Sequence, residues 1–353
     1  MQNDRSFLKM WDEDRYEKEF PDSDQKKKKP QPRPQKDCPA GAEVLSLVPP
    51  GKITSGNRPF SVVVNKRMSH RTYTGDPFTL EELSFLLWCT QGVKKVSRDG
   101  LRVKRTVPSA GSRHSFELYL VINRVDGLKP GLYRYLSLSH ELCFIKPVED
   151  GENFLPPLLY GQKFIGRAAV IFFWVTVPYR MEWRYSVLSS KFIALDAGHA
   201  CQNLYLACES INAGTCAVGY YDQSKVDAFL EIDGENEFTV YVAPTGKVAR
   251  KLSLEEFLES PREEVDRGIF ERYEGTYKRT NPVDIKVIDG ELYLCIGDFK
   301  ELLEPYNDKE FLGDEAVAAI RFVLDKSGKP VKMTVLSPEG DVLELVNITG
   351  KVP

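Results

Sequence analysis

Residues 168–177 (AAVIFFWVTV) carry no charge, and β-branched and aromatic side chains dominate them. The run is too short to span a bilayer, and its composition suits a strand better than a helix. It therefore reads as a strand buried on both faces, which requires cover on both sides of its sheet.

Around this strand, helical and extended patterns mix without a repeating βαβ unit, which favours an α+β fold over a doubly wound sheet. Thr79-Leu80-Glu81-Glu82 has capping-box spacing, with Leu83, Leu86 and Leu87 on one helical face behind it and Gly92 as the stop. Residues 117–123 (ELYLVIN) read as a strand, and 132–138 with 141–145 as a hairpin. Residues 191–210 form a helix rich in small residues, and 237–243 a closing strand. Residues 1–44 are polar, with Lys26–Lys29 followed by Pro30, Pro32 and Pro34, and read as an extended or disordered arm. Beyond Leu252 a charged helix (SLEEFLESPREEVDRG) is expected. Strands punctuated at Asp289-Gly290, Ser327-Gly328 and Glu339-Gly340 should follow it. The expectation is one domain over 45–250 and a small antiparallel β domain over 262–353.

A net charge of −3 argues against nucleic acid as the main partner. No apolar run reaches membrane-spanning length, and the charged first residues lack the pattern of a secretory signal. The seven cysteines include no C-x-x-C pair and several sit in apolar stretches, so a reduced, cytoplasmic setting is the simplest expectation. No His/Cys/Asp/Glu cluster has metal-ligand spacing, so no metal is expected.

Three separated segments suit a flat, phosphate-bearing cofactor. Arg67, Ser69 and Arg71 alternate, so an extended backbone would turn two guanidiniums and a hydroxyl to one side, a donor set matched to phosphate. Taken alone, the stretch reads equally as a solvated basic turn. Pro108, Ser109, Ala110 and Gly111 precede a strand and would let a ring approach the backbone, although a plain tight turn has the same composition. Gly214 to Gly219 (GTCAVG) offers the same freedom after the small-residue helix.

On these segments the chain resembles the nitroreductase-like flavoproteins, and within them the SagB-type branch. The likeness covers residues 30–248. It rests on Arg67-Met68-Ser69-His70-Arg71-Thr72-Tyr73, on PSAGSRHSFELYLV, on PGLYRYLSLSHEL, and above all on LDAGHACQNLYLACESINAGTCAVGYYD. The resemblance implies an α+β sandwich homodimer with FMN in a cleft at the subunit interface. Arg67, Ser69 and Arg71 would hold the phosphate and ribityl chain. Pro108, Ser109, Ala110 and Gly111 would lie along the ring, with Ala217, Val218 and Gly219 over its other side. Lys247 or Arg250 would complete the phosphate site. The implied activity is hydride exchange between FMN and a small-molecule or peptide substrate, with NAD(P)H or oxygen as second partner. The alternative is a flavin-binding regulatory or interaction protein that does not turn over.

In azoline-oxidising members of the branch a lysine–tyrosine pair precedes the long helix. Arg184-Tyr185 stands at the matching place, and arginine stays protonated and cannot act as a base. That argues against a standard azoline oxidase and leaves Tyr185 as the catalytic candidate, or as a buried hydrogen-bonded tyrosine. The C-terminal part, opening on Tyr273-x-Gly275-x-Tyr277, resembles the small β domain appended to β-lactamase-like serine hydrolases. The S-x-x-K spacing at Ser23 and Lys26 lies in the polar arm and does not bring hydrolase chemistry with it.

Overall fold

The computed structural model describes residues 23–249, 254–338 and 340–349. The chain divides into two compact units at Val248/Ala249.

The first unit is built on a seven-stranded antiparallel sheet. In chain order its strands are β1 (Val44–Ser46), β4 (Phe116–Ile122), β5 (Gly131–Leu136), β6 (Glu141–Pro147), β7 (Val170–Thr176), β8 (Ala213–Thr215) and β9 (Phe238–Lys247). They lie in the order β1-β6-β5-β4-β7-β9-β8, while β2 (Val93–Val96) and β3 (Val103–Arg105) form a separate hairpin. Every residue of β7 is buried. Phe172 and Trp174 enter one core with Leu118 and Leu120, and Ile171, Phe173 and Val175 enter the other with Val121. The two-faced burial expected of the apolar run is thus realised by alternate side chains of one strand.

Helix α1 spans Phe60–Lys66, α2 Leu80–Gln91, α3 Tyr179–Tyr185, α4 Ser189–Ser210 and α5 Gln223–Leu230. The Thr79/Glu82 capping box forms and Gly92 caps the end of α2. Leu83, Leu86 and Leu87 of α2 pack with Ile193, Ala197, Ala200, Cys201 and Leu204 of α4 over the first core. The small side chains of α4 recur at helical spacing, which lets it lie close to the sheet. Val226 and Leu230 of α5 cover the second core.

The polar segment before β1 is held along the first unit. Lys36 N donates to Glu117 (2.7 Å), Arg134 to Asp37 O (2.7 Å), and Trp183 Nε1 to Lys29 O (3.0 Å). Residues 1–22 of the expected arm lie outside the described residues. Cys38 is disulfide-bonded to Cys143 of β6, 105 residues away, which corrects the expectation of a wholly reduced set. Spacing could not reveal the pair, because docking of the segment is what brings the two residues together.

The second unit carries a nine-stranded antiparallel sheet. Its strands are β10 (Gly275–Lys278), β11 (Pro282–Ile288), β12 (Glu291–Ile296), β13 (Phe299–Leu302), β14 (Glu304–Pro305), β15 (Glu310–Leu312), β16 (Ala319–Leu324), β17 (Pro330–Leu336) and β18 (Val342–Asn347). Tyr273 and Tyr277 are buried with Phe311 and Phe322, and Tyr273 stacks on Phe322 at 4.2 Å, so the Tyr-x-Gly-x-Tyr opening is core. Turns fall at Asp289-Gly290 and Ser327-Gly328 as expected, and Gly340 also has positive φ, while Glu339 lies outside the described residues. The charged helix is a single turn, Leu254–Phe257. Pro261 lacks an N–H, and the glutamates crowding this stretch repel one another, so a longer helix gains nothing.

Candidate active site

Helix α1 ends at Arg67, whose N–H caps Val63 O at 3.0 Å. From there the chain runs extended beside β8 and β9. His70 N donates to Thr215 O, and Thr74 N to Lys247 O, each at 3.0 Å. The buried Tyr73 hydroxyl donates to His70 O (3.1 Å) and Pro244 O (3.0 Å). The approach is close enough to need glycine opposite. A Cβ on Gly214 would lie 2.5 Å from the His70 side chain, and one on Gly246 2.8 Å from the Tyr73 ring.

This placement brings the first and third candidate segments together on Tyr205 of α4. Ser69 Oγ and Tyr205 Oη are hydrogen-bonded at 3.1 Å, and the Ala217 N–H donates to the same hydroxyl at 2.8 Å. Arg67 lies over the Tyr205 ring at 5.5 Å, whereas Arg71 lies over Phe164 at 6.0 Å. Among the described residues, neither arginine pairs with a carboxylate. Val218 is pinned to β9 by reciprocal bonds with Val242 (2.7 and 3.1 Å), and Gly219 is exposed with open space around it.

The second segment is fixed elsewhere on α4. Ala110 N donates to Asp196 Oδ1 at 3.2 Å, and Ser109 Oγ accepts from His114 N at 2.9 Å. Gly111, Ser112 and His114 all have positive φ, which is free for the glycine but strains Ser112 and His114, a cost that functional loops tend to carry. Pro108 is exposed at the start of this turn. Gly111 leaves no room for a Cβ, which would fall 2.6 Å from Tyr185 Oη and 2.9 Å from Arg184 Cδ. Tyr185 is half-buried, its ring 4.7 Å from that of Phe192. Asp196 is buried and its carboxyl is pushed up by that burial, with the Ser109 and Ala110 bonds opposing the rise. Among the described residues its second oxygen has no hydrogen-bond partner.

Asp196 and Tyr205 stand nine positions apart on one helix, roughly 13 Å along its axis at helical rise. Helix α4 therefore carries both anchor points. Among the described residues, no hydrogen bond joins segment 108–111 to 67–73 or 214–219 within one chain. Lys247 forms an ion pair with Glu82 and lies over Phe78 at 5.6 Å, so its charge is answered within the chain. Arg250 lies outside the described residues.

Neither Tyr205 nor Asp196 stands out by residue type in the sequence. The available signal is positional: Asp196 is an acidic residue between Ile193 and Ala197 on a helix face whose other buried residues are small or apolar. His199 is exposed, and Cys201 and Cys208 are core, their thiols pushed up by burial, Cys201 to about 12. Among the described residues no group of His, Cys, Asp or Glu could hold a metal.

The donor set fits a flavin mononucleotide. It comprises two guanidiniums without a carboxylate partner among the described residues and a hydroxyl, all in an extended run, with a glycine-bearing loop tied to the same tyrosine. The nitroreductase family profile matches residues 64–247, more than half of the chain. The chain is 31% identical over 186 residues to a nitroreductase-type protein of Methanocaldococcus jannaschii, covering 52% of this chain and 89% of that one. A nitroreductase-type crystal structure from Ralstonia eutropha superposes with a TM-score of 0.50 at 26% identity, over 62% of this chain and 95% of that one. Sheet, helical cover and site segments define a nitroreductase-like fold. The chain belongs to the nitroreductase family.

Proposed function

We propose that the protein is an FMN-dependent oxidoreductase of SagB type. The observation that carries the reading is the meeting of Ser69, Arg67 and Ala217 on Tyr205, which joins two sequence-distant cofactor segments through one phenol. FMN, when bound, supplies the hydride exchange with an organic substrate. Arg67, Ser69 and Arg71 would bind its phosphate, Ala217 to Gly219 would cover one ring face, and Pro108 to Gly111 the other. The left-handed turn at Gly111, Ser112 and His114 would set the course of the ring-side backbone. Tyr185, against Gly111, is the candidate for holding or moving a substrate proton. Lys247 would reach the phosphate only on release from Glu82.

Two copies are the proposed unit, with segment 108–111 of one completing the site of the other. Helix α1 supports this, since it leaves Phe60 and Val64 exposed, with Met68 exposed just beyond it beside the phosphate-binding segment. The second unit is proposed to select substrate or recruit a partner. The test is anaerobic addition of NADH, NADPH or candidate reductants to the flavin-loaded protein. Bleaching of the yellow flavin absorbance followed by recovery in air supports an enzyme. A flavin that no reductant bleaches supports a non-catalytic binder.

A further inference from the structure

Next to the ring-side segment lies a cavity of about 590 Å³, lined by Gly111 and Ser112 and by five cationic residues, Lys95, Arg102, Lys104, Arg113 and Arg184. Among the described residues, the only carboxylate lining it is Asp99. That carboxylate is already engaged by the Ser97 hydroxyl and by Leu101 N at 3.1 Å. Residues 25 and 31 of the docked segment complete the wall.

Arg113 is the built element. It is 6% exposed, donates Nε to Gly111 O at 3.0 Å, and lies over the Trp183 ring at 5.2 Å. Trp183 is itself fixed by Lys29 O, so the guanidinium rests on a rigid shelf. Burial, then Arg184, and more weakly Arg102, pull its pKa below the ordinary arginine value. Among the described residues none of the five cations forms an ion pair with a carboxylate. Gathering five cations around a concave space whose one described carboxylate is Asp99 is unfavourable, and a buried charge calls for a partner. An anion entering the cavity would supply it. Guanidinium forks pair with phosphate through parallel bonds, and the volume is that of a small-molecule site. The net charge of −3 for the whole chain makes the local excess a feature of this cavity and not of the surface at large.

We propose that this cavity binds the phosphate of a small-molecule substrate and holds the substrate's reacting end toward Gly111. The second half rests on the flavin reading above. The proposal gives Arg184 a task where the branch's azoline oxidases place a lysine: it anchors an anion and leaves proton transfer to others.

The test is calorimetric titration of the full chain with inorganic pyrophosphate, NADP⁺ and NAD⁺, with flavin content read from absorbance on the same sample. Pyrophosphate is expected to bind the wild type. Its affinity should fall at least tenfold in Arg184→Gln and in Lys104→Glu, the latter an exposed position that leaves folding untouched. It should also weaken as salt rises. Preference for NADP⁺ over NAD⁺ would identify a dinucleotide phosphate as the source. Pyrophosphate binding without that preference would identify another phosphorylated substrate, and either supports the site. Flavin-loaded protein that ignores pyrophosphate, or variants that bind it as the wild type does, would overturn the site. Pyrophosphate binding by a protein that takes up no flavin would sink the flavin reading alone.

Discussion

The backbone amide of Ala110 donates to a buried carboxylate oxygen of Asp196, 86 residues further along the chain. A strained turn is thereby tethered to the helix that, nine residues later, presents Tyr205 to two other segments. Helix α4 thus anchors segment 108–111 through Asp196, and Ser69 and Ala217 through Tyr205. Perturbing either anchor should move only its own half of the site.

Asp196 gives the first test. Its folded pKa is raised above 3.8 by burial, so folding disfavours the ionised form relative to the unfolded chain. The stability it contributes is full below about 3.8 and is lost as pH climbs through the folded value. Asp196→Asn keeps an acceptor for Ala110 N and never ionises. Its melting temperature should match the wild type at acidic pH and exceed it increasingly toward neutrality. A difference that does not change with pH would contradict the assignment.

Tyr205→Phe removes the hydroxyl shared by Ser69 and Ala217 while keeping the ring under Arg67. With each neutral hydrogen bond worth about 1 kcal/mol, the flavin dissociation constant should rise about tenfold with little change in fold. Unaltered affinity in fluorescence titrations would show that Tyr205 does not organise the phosphate side.

His114 follows the ring-side turn at positive φ, and burial, aided by the charge of Arg105, pushes its pKa down to about 3. A depressed histidine supports stability that is present above its unfolded value of 6.5 and lost as pH falls toward the folded one. The wild type should lose about 2–3 kcal/mol between neutrality and pH ~4.5 through this residue. His114→Asn, which tolerates the left-handed region, should flatten that part of the acid limb in denaturant melts.

Glu117 of β4 is buried, receives Arg180 at 2.5 Å and Lys36 N at 2.7 Å, and lies 4.0 Å from Arg134. Glu117→Ala leaves buried arginines without a counter-charge and frees the segment before β1. A destabilisation of about 3–5 kcal/mol is expected in chemical denaturation. A loss under 1 kcal/mol (about the value of an exposed pair) would mean the network is not closed in solution.

Local chemistry was legible in the sequence. The β7 run declared its two-sided burial, Thr79 and Glu82 declared a helix start, and Asp289-Gly290 declared a hairpin. Long-range pairings were not. Nothing local shows that Cys38 would meet Cys143, that Lys29 would cap Trp183, or that Asp196 would catch Ala110. Each depends on surfaces that exist only after the sheet forms. The charged stretch after Leu254 stops early for a local reason: Phe257 is buried, but Pro261 and the crowded glutamates prevent further turns. Of the site, the arginine–serine alternation was visible, but the tyrosine that gathers it was hidden as one more half-buried helical residue. Lys247 gave no sequence sign of the ion pair with Glu82.

The central claim is that Arg67, Ser69 and Arg71 form the phosphate end of an FMN site. The most direct measurement is FMN occupancy of the purified protein, by absorption spectrum and mass of the released cofactor, beside the Arg67→Ala/Arg71→Ala double variant. Loss of two charge-assisted contacts, about 3 kcal/mol or more, should lower affinity at least a hundredfold and leave a folded, colourless protein. Full occupancy in the double variant, or a wild type that neither carries nor takes up FMN, would contradict the account.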